Sequence, residues 1–245
     1  MPLKRFRTVK AAFAAHHDSL KLSFRRPPVP PFDEAPAERA ARGYEGSIPK
    51  RRDDRNAHPM TILAIDDHLE LRALGLAHAD AWYAAVDANR AYLSAWVPTP
   101  ARARSRAEAP AYMERCEIER RNGTGHFFGI WSAGTLIGEI LLFGIRPEAP
   151  QGEVGYWLRE DQQGRGIVTR AARAILAFGF NELGLERIEL RCAVENQKSR
   201  AIAERLGFTR EGTLRQAHRV GERNSDQALY ALLASDWREN VEDET

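Results

Sequence analysis

The stretch Gln162-Gln163-Gly164-Arg165-Gly166-Ile167-Val168-Thr169 decides how the rest of the chain is read. It sits between a strand-like run, Glu153 to Leu158, and a helix-like run, Ile167 to Leu183. Two glycines one residue apart let the backbone turn until successive N–H groups point into one concavity. The helix that follows adds unsatisfied donors and the positive end of its dipole. Such a loop holds an anion. Each hydrogen bond to a charged oxygen contributes about 1.5 to 3 kcal/mol, so four or five amides hold a pyrophosphate without a metal. Taken alone, a bare Gly-x-Gly is more often the mark of a tight turn.

Other phosphate loops fit poorly. A dinucleotide fingerprint wants Gly or Ala where Thr169 stands, and a Walker loop needs a Gly-Lys pair, which the chain lacks. His-Glu-x-x-His and Gly-x-Ser-x-Gly are also absent. The chemistry expected is one that uses an anion cradle and no metal.

Outward from the loop, the pattern alternates between periods of 2.0 and 3.6. A strand is expected over His68–Leu74, then helices over 79–96 and 106–121 and strands over 127–131, 136–143 and 153–158. After the loop helix, stopped by Gly184, come a strand over 187–194, a short helix over 198–206 ended by Gly207, and a strand pair over 208–233. The order β-α-α-β-β-β-α-β-α-β-β predicts an α+β domain, one mixed sheet flanked by helices.

The 245 residues carry a formal charge of +2 that conceals a division. Residues 1–59 hold 13 Lys+Arg against 7 Asp+Glu and 8 of the 13 prolines, leaving 23 against 27 for residues 60–245, where all five tryptophans lie. A segment so poor in large apolar residues cannot offset its ordering entropy, so residues 1–59 are expected to be a disordered basic extension and 60–245 the folded domain. Three readings of the extension stay open: a mobile tail or overlong start, a transit-like segment, or a basic arm. Its charges are scattered and lack interleaved aromatics, which argues against nucleic acid as a partner. No run is long and apolar enough for a membrane span, and Cys116 and Cys192 form no C-x-x-C or disulfide framework. A cytoplasmic protein, monomer or homodimer, is the expectation.

Three blocks in order resemble a known family. Gly152-Glu153-Val154-Gly155-Tyr156-Trp157-Leu158, then Gln163-Gly164-Arg165-Gly166-Ile167, then Glu195-Asn196-Gln197-Lys198-Ser199-Arg200 through Leu206-Gly207-Phe208 are similar to the GNAT superfamily of acetyl-CoA-dependent N-acetyltransferases. The likeness is to the branch that acetylates ribosomal-protein N-termini, and it runs from about Met60 to Trp237. It implies a single GNAT-type domain whose sheet is splayed between the fourth and fifth family strands, here 153–158 and 187–194. Acetyl-CoA would lie in the gap as cosubstrate, with no metal. The resemblance gives the amides of Gln163, Gly164, Arg165, Gly166 and Ile167 to the pyrophosphate, with Thr169 at the helix start and Arg165 or Arg170 near the phosphates. It sets Tyr156, Trp157 and Leu158 along the cofactor arm and Asn196 near the thioester. One departure is Asp161, at the first position of the family's Gln/Arg-x-x-Gly-x-Gly/Ala pattern, where an ionised carboxylate cannot donate to phosphate.

The implied reaction is direct attack of a neutral amine on the thioester in a ternary complex, which needs a base, oxyanion donors and an acid. Ser199 falls where the branch has the serine that protonates sulfur, and it is equally an ordinary capping residue. A backbone N–H near Tyr156 or Trp157 would face the oxyanion. His218, where the branch often has glutamate, is one candidate base and Glu153 another; a surface histidine is the plain alternative at 218. Cys192 reads as a buried structural thiol. An α-amine of pKa about 7.8 is roughly one seventh neutral at pH 7, against a few parts in ten thousand for lysine at about 10.4. A site with one mild base therefore suits a protein N-terminus. A small-molecule amine, a polyamine or aminoglycoside, and a non-catalytic acyl-CoA-binding module remain the alternatives.

Overall fold

The computed structural model describes residues 62–99, 103–146, 148–220 and 222–242, and for 239–242 the backbone only. The expected extension over 1–59 lies outside the described residues. Among the described residues, eight strands form one sheet in the order β1-β2-β3-β4-β5-β6-β8-β7: β1 (Ile62–Ala64), β2 (Leu69–Ala73), β3 (Gly125–Ser132), β4 (Thr135–Arg146), β5 (Gln151–Leu158), β6 (Arg187–Ala193), β7 (Thr209–Val220) and β8 (Arg223–Leu233). β1 to β5 form an antiparallel meander, β5 and β6 run parallel, and β6, β8 and β7 are again antiparallel. A parallel pair needs a crossover, and α3 (Ile167–Ala177), which follows the glycine loop, supplies it.

The helices cover both faces. α1 (Ala79–Ala88) and α2 (Ala109–Asn122) lie on one side, α3 and α4 (Gln197–Arg205) on the other, and α5 (Ala234–Glu242) follows β8. Every residue of β3 from Gly125 to Trp131 is buried, as expected of a strand with helices above and below. Its side chains alternate: Phe128 and Ile130 join the core under α3, Phe127 and Trp131 the core under α1 and α2. On β5 the same alternation sends Val154, Tyr156 and Leu158 toward α3 and Trp157 toward α1 and α2. α3 buries Ile167, Val168, Ala171, Ala172, Ile175 and Leu176, one stripe at helical spacing. At about 1.5 to 3 kcal/mol for each of the four large residues, that stripe contributes roughly 6 to 12 kcal/mol as an upper bound.

The α+β class and the element order match the sequence expectation, with differences at the margins. The helix expected over 79–96 breaks at Asn89 (φ −116°), after which residues 90–93 form a single helical turn. The Asn89 carboxamide donates to Ala85 O at 2.9 Å and accepts from Glu160 N at 3.1 Å, an alternative to continuing the ladder. The loop helix reaches Leu183 as expected, but 178–182 form a wider π turn, with Leu183 N donating to Phe178 O at 3.1 Å. β1 and α5 carried no legible signal.

Glu139 of β4 is the buried polar node of the α1–α2 side. It is 0% exposed, and Trp82 Nε1 (3.0 Å) and Trp157 Nε1 (2.7 Å) donate to one oxygen while Tyr112 OH donates to the other. Two helices and β5 thus converge on one carboxylate. Glu139→Ala should cost about 3 kcal/mol or more, since each orphaned buried donor costs about 1 to 3 kcal/mol. Urea unfolding checks this, and an unchanged midpoint would contradict it.

Candidate active site

β5 and β6 pair only from Gln151–Arg187 to Val154–Leu190. Beyond that point Gly155–Leu158 stays with β4 and Arg191–Ala193 stays with β8, so the sheet divides in its middle. A cavity of about 1160 Å³ opens in the wedge. The backbone groups on its two facing edges lie within the sheet but outside any ladder, and buried backbone groups require partners. An extended, amide-bearing molecule supplies them.

One end of the cavity is the glycine loop. Gly164 (φ +75°) and Gly166 (φ +69°) both take left-handed conformations, and a Cβ at either would meet nothing within 4 Å. The glycines answer to backbone conformation there, not to crowding. Gly166 is the N-cap of α3 and offers no side chain to its first amides. Among the described residues, none of the amides from Gly164 to Thr169 donates to a backbone carbonyl. Six donors at a helix start fit an anion cradle.

Every sequence-predicted site residue lines this cavity except Arg165. The Arg165 side chain borders a smaller hollow beside Asp66, and its Nη1 donates to Gln162 Oε1 at 3.3 Å. Arg170 lines the main cavity but is ion-paired with Asp66. Two cations that the sequence did not single out contact the loop instead. Lys198 Nζ donates to Gln163 Oε1 at 2.7 Å, and Arg205 Nη1 to Thr169 Oγ1 at 3.3 Å. Both come from α4, which follows β6 and packs beside α3, so their proximity follows from tertiary packing rather than from the motif. Asp161 does not reach into the cradle: Arg159 grips its carboxylate at 2.8 and 3.0 Å and holds its pKa below the usual range.

The deep part of the cavity holds hydroxyl chemistry. Asn196 caps α4, its Oδ1 accepting from Ser199 N at 3.1 Å. Ser199 is therefore not the cap; its own hydroxyl lies 2.8 Å from Tyr156 OH, across the wedge from α4 to β5. Burial pushes the Tyr156 phenol well up, so it stays protonated and keeps its hydrogen bond with Ser199. Cys192 is buried beside the pair, and burial raises its thiol too, as expected of a structural cysteine.

The outer wall carries two titratable groups. Glu153 of β5 has its carboxyl pushed up to about 7, chiefly by burial, with Arg191 Nε at 3.6 Å opposing the shift. His218 of β7 places Nε2 3.1 Å from Trp96 O. A carbonyl only accepts, so this contact puts the ring proton on Nε2 and leaves a lone pair on Nδ1.

A family model described as "Acetyltransferase (GNAT) domain" matches residues 68–209. The chain belongs to the GNAT acetyltransferase family. As a GNAT N-acetyltransferase it has full-length relatives. It is 30% identical over 182 residues to the "Putative ribosomal N-acetyltransferase YdaF" of Bacillus subtilis, covering 73% of this chain and 98% of the relative. It is 30% identical over 171 residues to the "Ribosomal-protein-serine acetyltransferase" of Escherichia coli, covering 70% and 96%. Among solved structures, a RimL ribosomal L7/L12 α-N-protein acetyltransferase in complex with coenzyme A superposes with a TM-score of 0.68 at 28% identity, covering 71% and 98%. The microcin C7 self-immunity acetyltransferase MccE, in complex with acetyl-CoA and AMP, does so with 0.65 at 27%, covering 69% and 94%.

The glycine pair gives a direct test. Gly164→Val with Gly166→Val forces β-branched residues into a left-handed backbone and should weaken coenzyme A binding at least tenfold. Calorimetry and protection against heat would read it; unchanged affinity would mean the loop amides do not hold the nucleotide.

Proposed function

We propose that this GNAT enzyme transfers the acetyl group of acetyl-CoA to the N-terminal α-amine of a protein, by direct attack in a ternary complex. The observation that carries the reading is the wedge between β5 and β6, with an anion cradle at one end and the Tyr156–Ser199 hydroxyl pair beside a titratable wall at the other. The loop amides and the α3 N-terminus would take the pyrophosphate, Lys198 and Arg205 would add positive charge nearby, and the open edge of β5 would pair with the amide arm. Asn196 spends its oxygen on the helix cap, which leaves its amide nitrogen as the donor toward that arm.

In the step itself, the amine nitrogen bonds to the acetyl carbon and the carbon–sulfur bond breaks. His218 takes the amine proton at Nδ1, directly or through one water. A backbone N–H at Tyr156 or Trp157 steadies the negative oxygen, and Ser199, oriented by the Tyr156 hydroxyl, protonates the departing thiolate and regains a proton from water as the products leave. The ribosomal-protein relatives and the arithmetic of the α-amine, about 3.5 kcal/mol easier to find neutral than lysine at 1.36 kcal/mol per pKa unit, support a protein N-terminus as acceptor. A cytoplasmic site of action goes with such an acceptor.

Glu153 is a second reading for the base, favoured by its burial and a pKa near 7. As base it would act deprotonated, so the rate would rise with pH through about 7. His218→Ala should lower kcat/KM by about 10²- to 10⁴-fold, and Glu153→Gln by much less. The reverse ranking moves the base to Glu153. Thiol release from acetyl-CoA should occur with peptides bearing free N-termini. Turnover confined to polyamines or aminoglycosides would replace the acceptor class, and binding without turnover would leave an acyl-CoA-binding module.

A further inference from the structure

The β7–β8 ladder steps once between Arg210 and Gly212, runs regularly from Gly212 to Leu214, opposite Gln227, and is regular again from His218, opposite Ser225. Four steps along β7 therefore match two along β8, and Arg215, Gln216 and Ala217 crowd opposite Asp226. Within the bulge Gln216 takes φ +52°, a left-handed conformation that non-glycine residues adopt only when held there. Asp226 is the holder. Its carboxylate accepts the Gln216 amide N–H at 2.9 Å and the Gln216 side-chain amide at 3.5 Å. The backbone of Asp226 is itself fixed, its carbonyl accepting from Val194 N at 3.0 Å, where β6 ends and the approach to the Asn196 cap begins.

The consequence for His218 is a displacement. Antiparallel pairing continued without the bulge would put Gln216 opposite Ser225 and His218 opposite Arg223, two residues farther toward the hairpin end. At 3.4 Å per residue that is about 7 Å, more than enough to break a 3.1 Å contact with Trp96 O and to withdraw the imidazole from the cavity. Because the shift is an even number of residues, the side chain keeps its face and changes only its position along the strand.

We propose that Asp226 and the Gln216 bulge are positioning elements for His218: the clamp from Asp226 to the Gln216 amide sets the strand register that delivers the imidazole to the acceptor amine. Neither residue lines the cavity, so neither touches substrate; both act through His218. The proposal rests on His218 being the base.

The test uses the full chain and acetyl-CoA with a peptide acceptor. Asp226→Leu removes the acceptor and should lower kcat at least tenfold, with KM for acetyl-CoA within about twofold of wild type and protection against heat by coenzyme A retained. Asp226→Asn keeps a carbonyl oxygen for the Gln216 amide and should stay within about threefold of wild type. Gln216→Gly accepts the left-handed backbone and should do the same, whereas Gln216→Val should match Asp226→Leu without altering Asp226, which covers the case of a poorly folded Leu variant. The decisive arm places Asp226→Leu in a His218→Ala background, where no further loss is expected. A further tenfold loss there would show that Asp226 acts independently of His218 and would overturn the proposal while leaving the base in place. His218→Ala without effect would overturn the base reading instead.

Discussion

A sheet that stops pairing in its middle is the constraint on which the rest of this structure depends. After Val154 and Leu190, β5 and β6 cease to share hydrogen bonds, and each keeps only its outer neighbour. Left to itself such a gap would close, because each unmade backbone bond costs more than a made one returns. Two side-chain arrangements oppose closure. On β5, the Trp157 indole is drawn toward Glu139 together with Trp82 of α1 and Tyr112 of α2. On the β6 side, Arg200 of α4 donates to Val194 O at 3.3 Å and to Tyr230 OH of β8 at 3.2 Å, anchoring the turn out of the strand. The two walls then meet through side chains, Tyr156 to Ser199 at 2.8 Å, rather than through backbone.

That substitution has a chemical result. Where a ladder would have placed amides and carbonyls pointing at one another, the wedge leaves them free for a ligand and adds a hydroxyl pair at its floor. The fold and the chemistry thus share one cause. The same division explains the polarity of the site: the α3 dipole and the loop amides gather positive potential at one end, whereas Glu153 and His218 stand on the outer wall. A ligand carrying anions at one end and a reactive carbonyl at the other has one favourable orientation.

Much of this was legible in the sequence because it is local. Gly164 and Gly166 announce their left-handed conformations by identity, and the alternation in Glu153 to Leu158 fixes which side chains share a face. The order of three separated blocks carried the family. What was illegible rests on partners far apart in the chain. Trp82, Tyr112, Glu139 and Trp157 form one node although Trp82 and Glu139 lie 57 residues apart. Lys198 and Arg205 meet the loop only because α4, after β6, packs beside α3, so a motif centred on the glycines pointed to Arg165 and Arg170, of which one lies outside the cavity and the other is held by Asp66. The break at Asn89 depends on Glu160, 71 residues on.

The two ends of the cavity also differ in what builds them, and this accounts for how unequally they were read. The anion end is made of backbone amides, which every sequence supplies, so its only sequence requirement is conformational and falls on two glycines. The opposite end is made of side chains drawn from three places: the segment around Trp96, Glu153 of β5, and His218 of β7. No single motif can record such an assembly, and β7 itself is irregular there, its Gln216 amide bonded to Asp226 of the neighbouring strand.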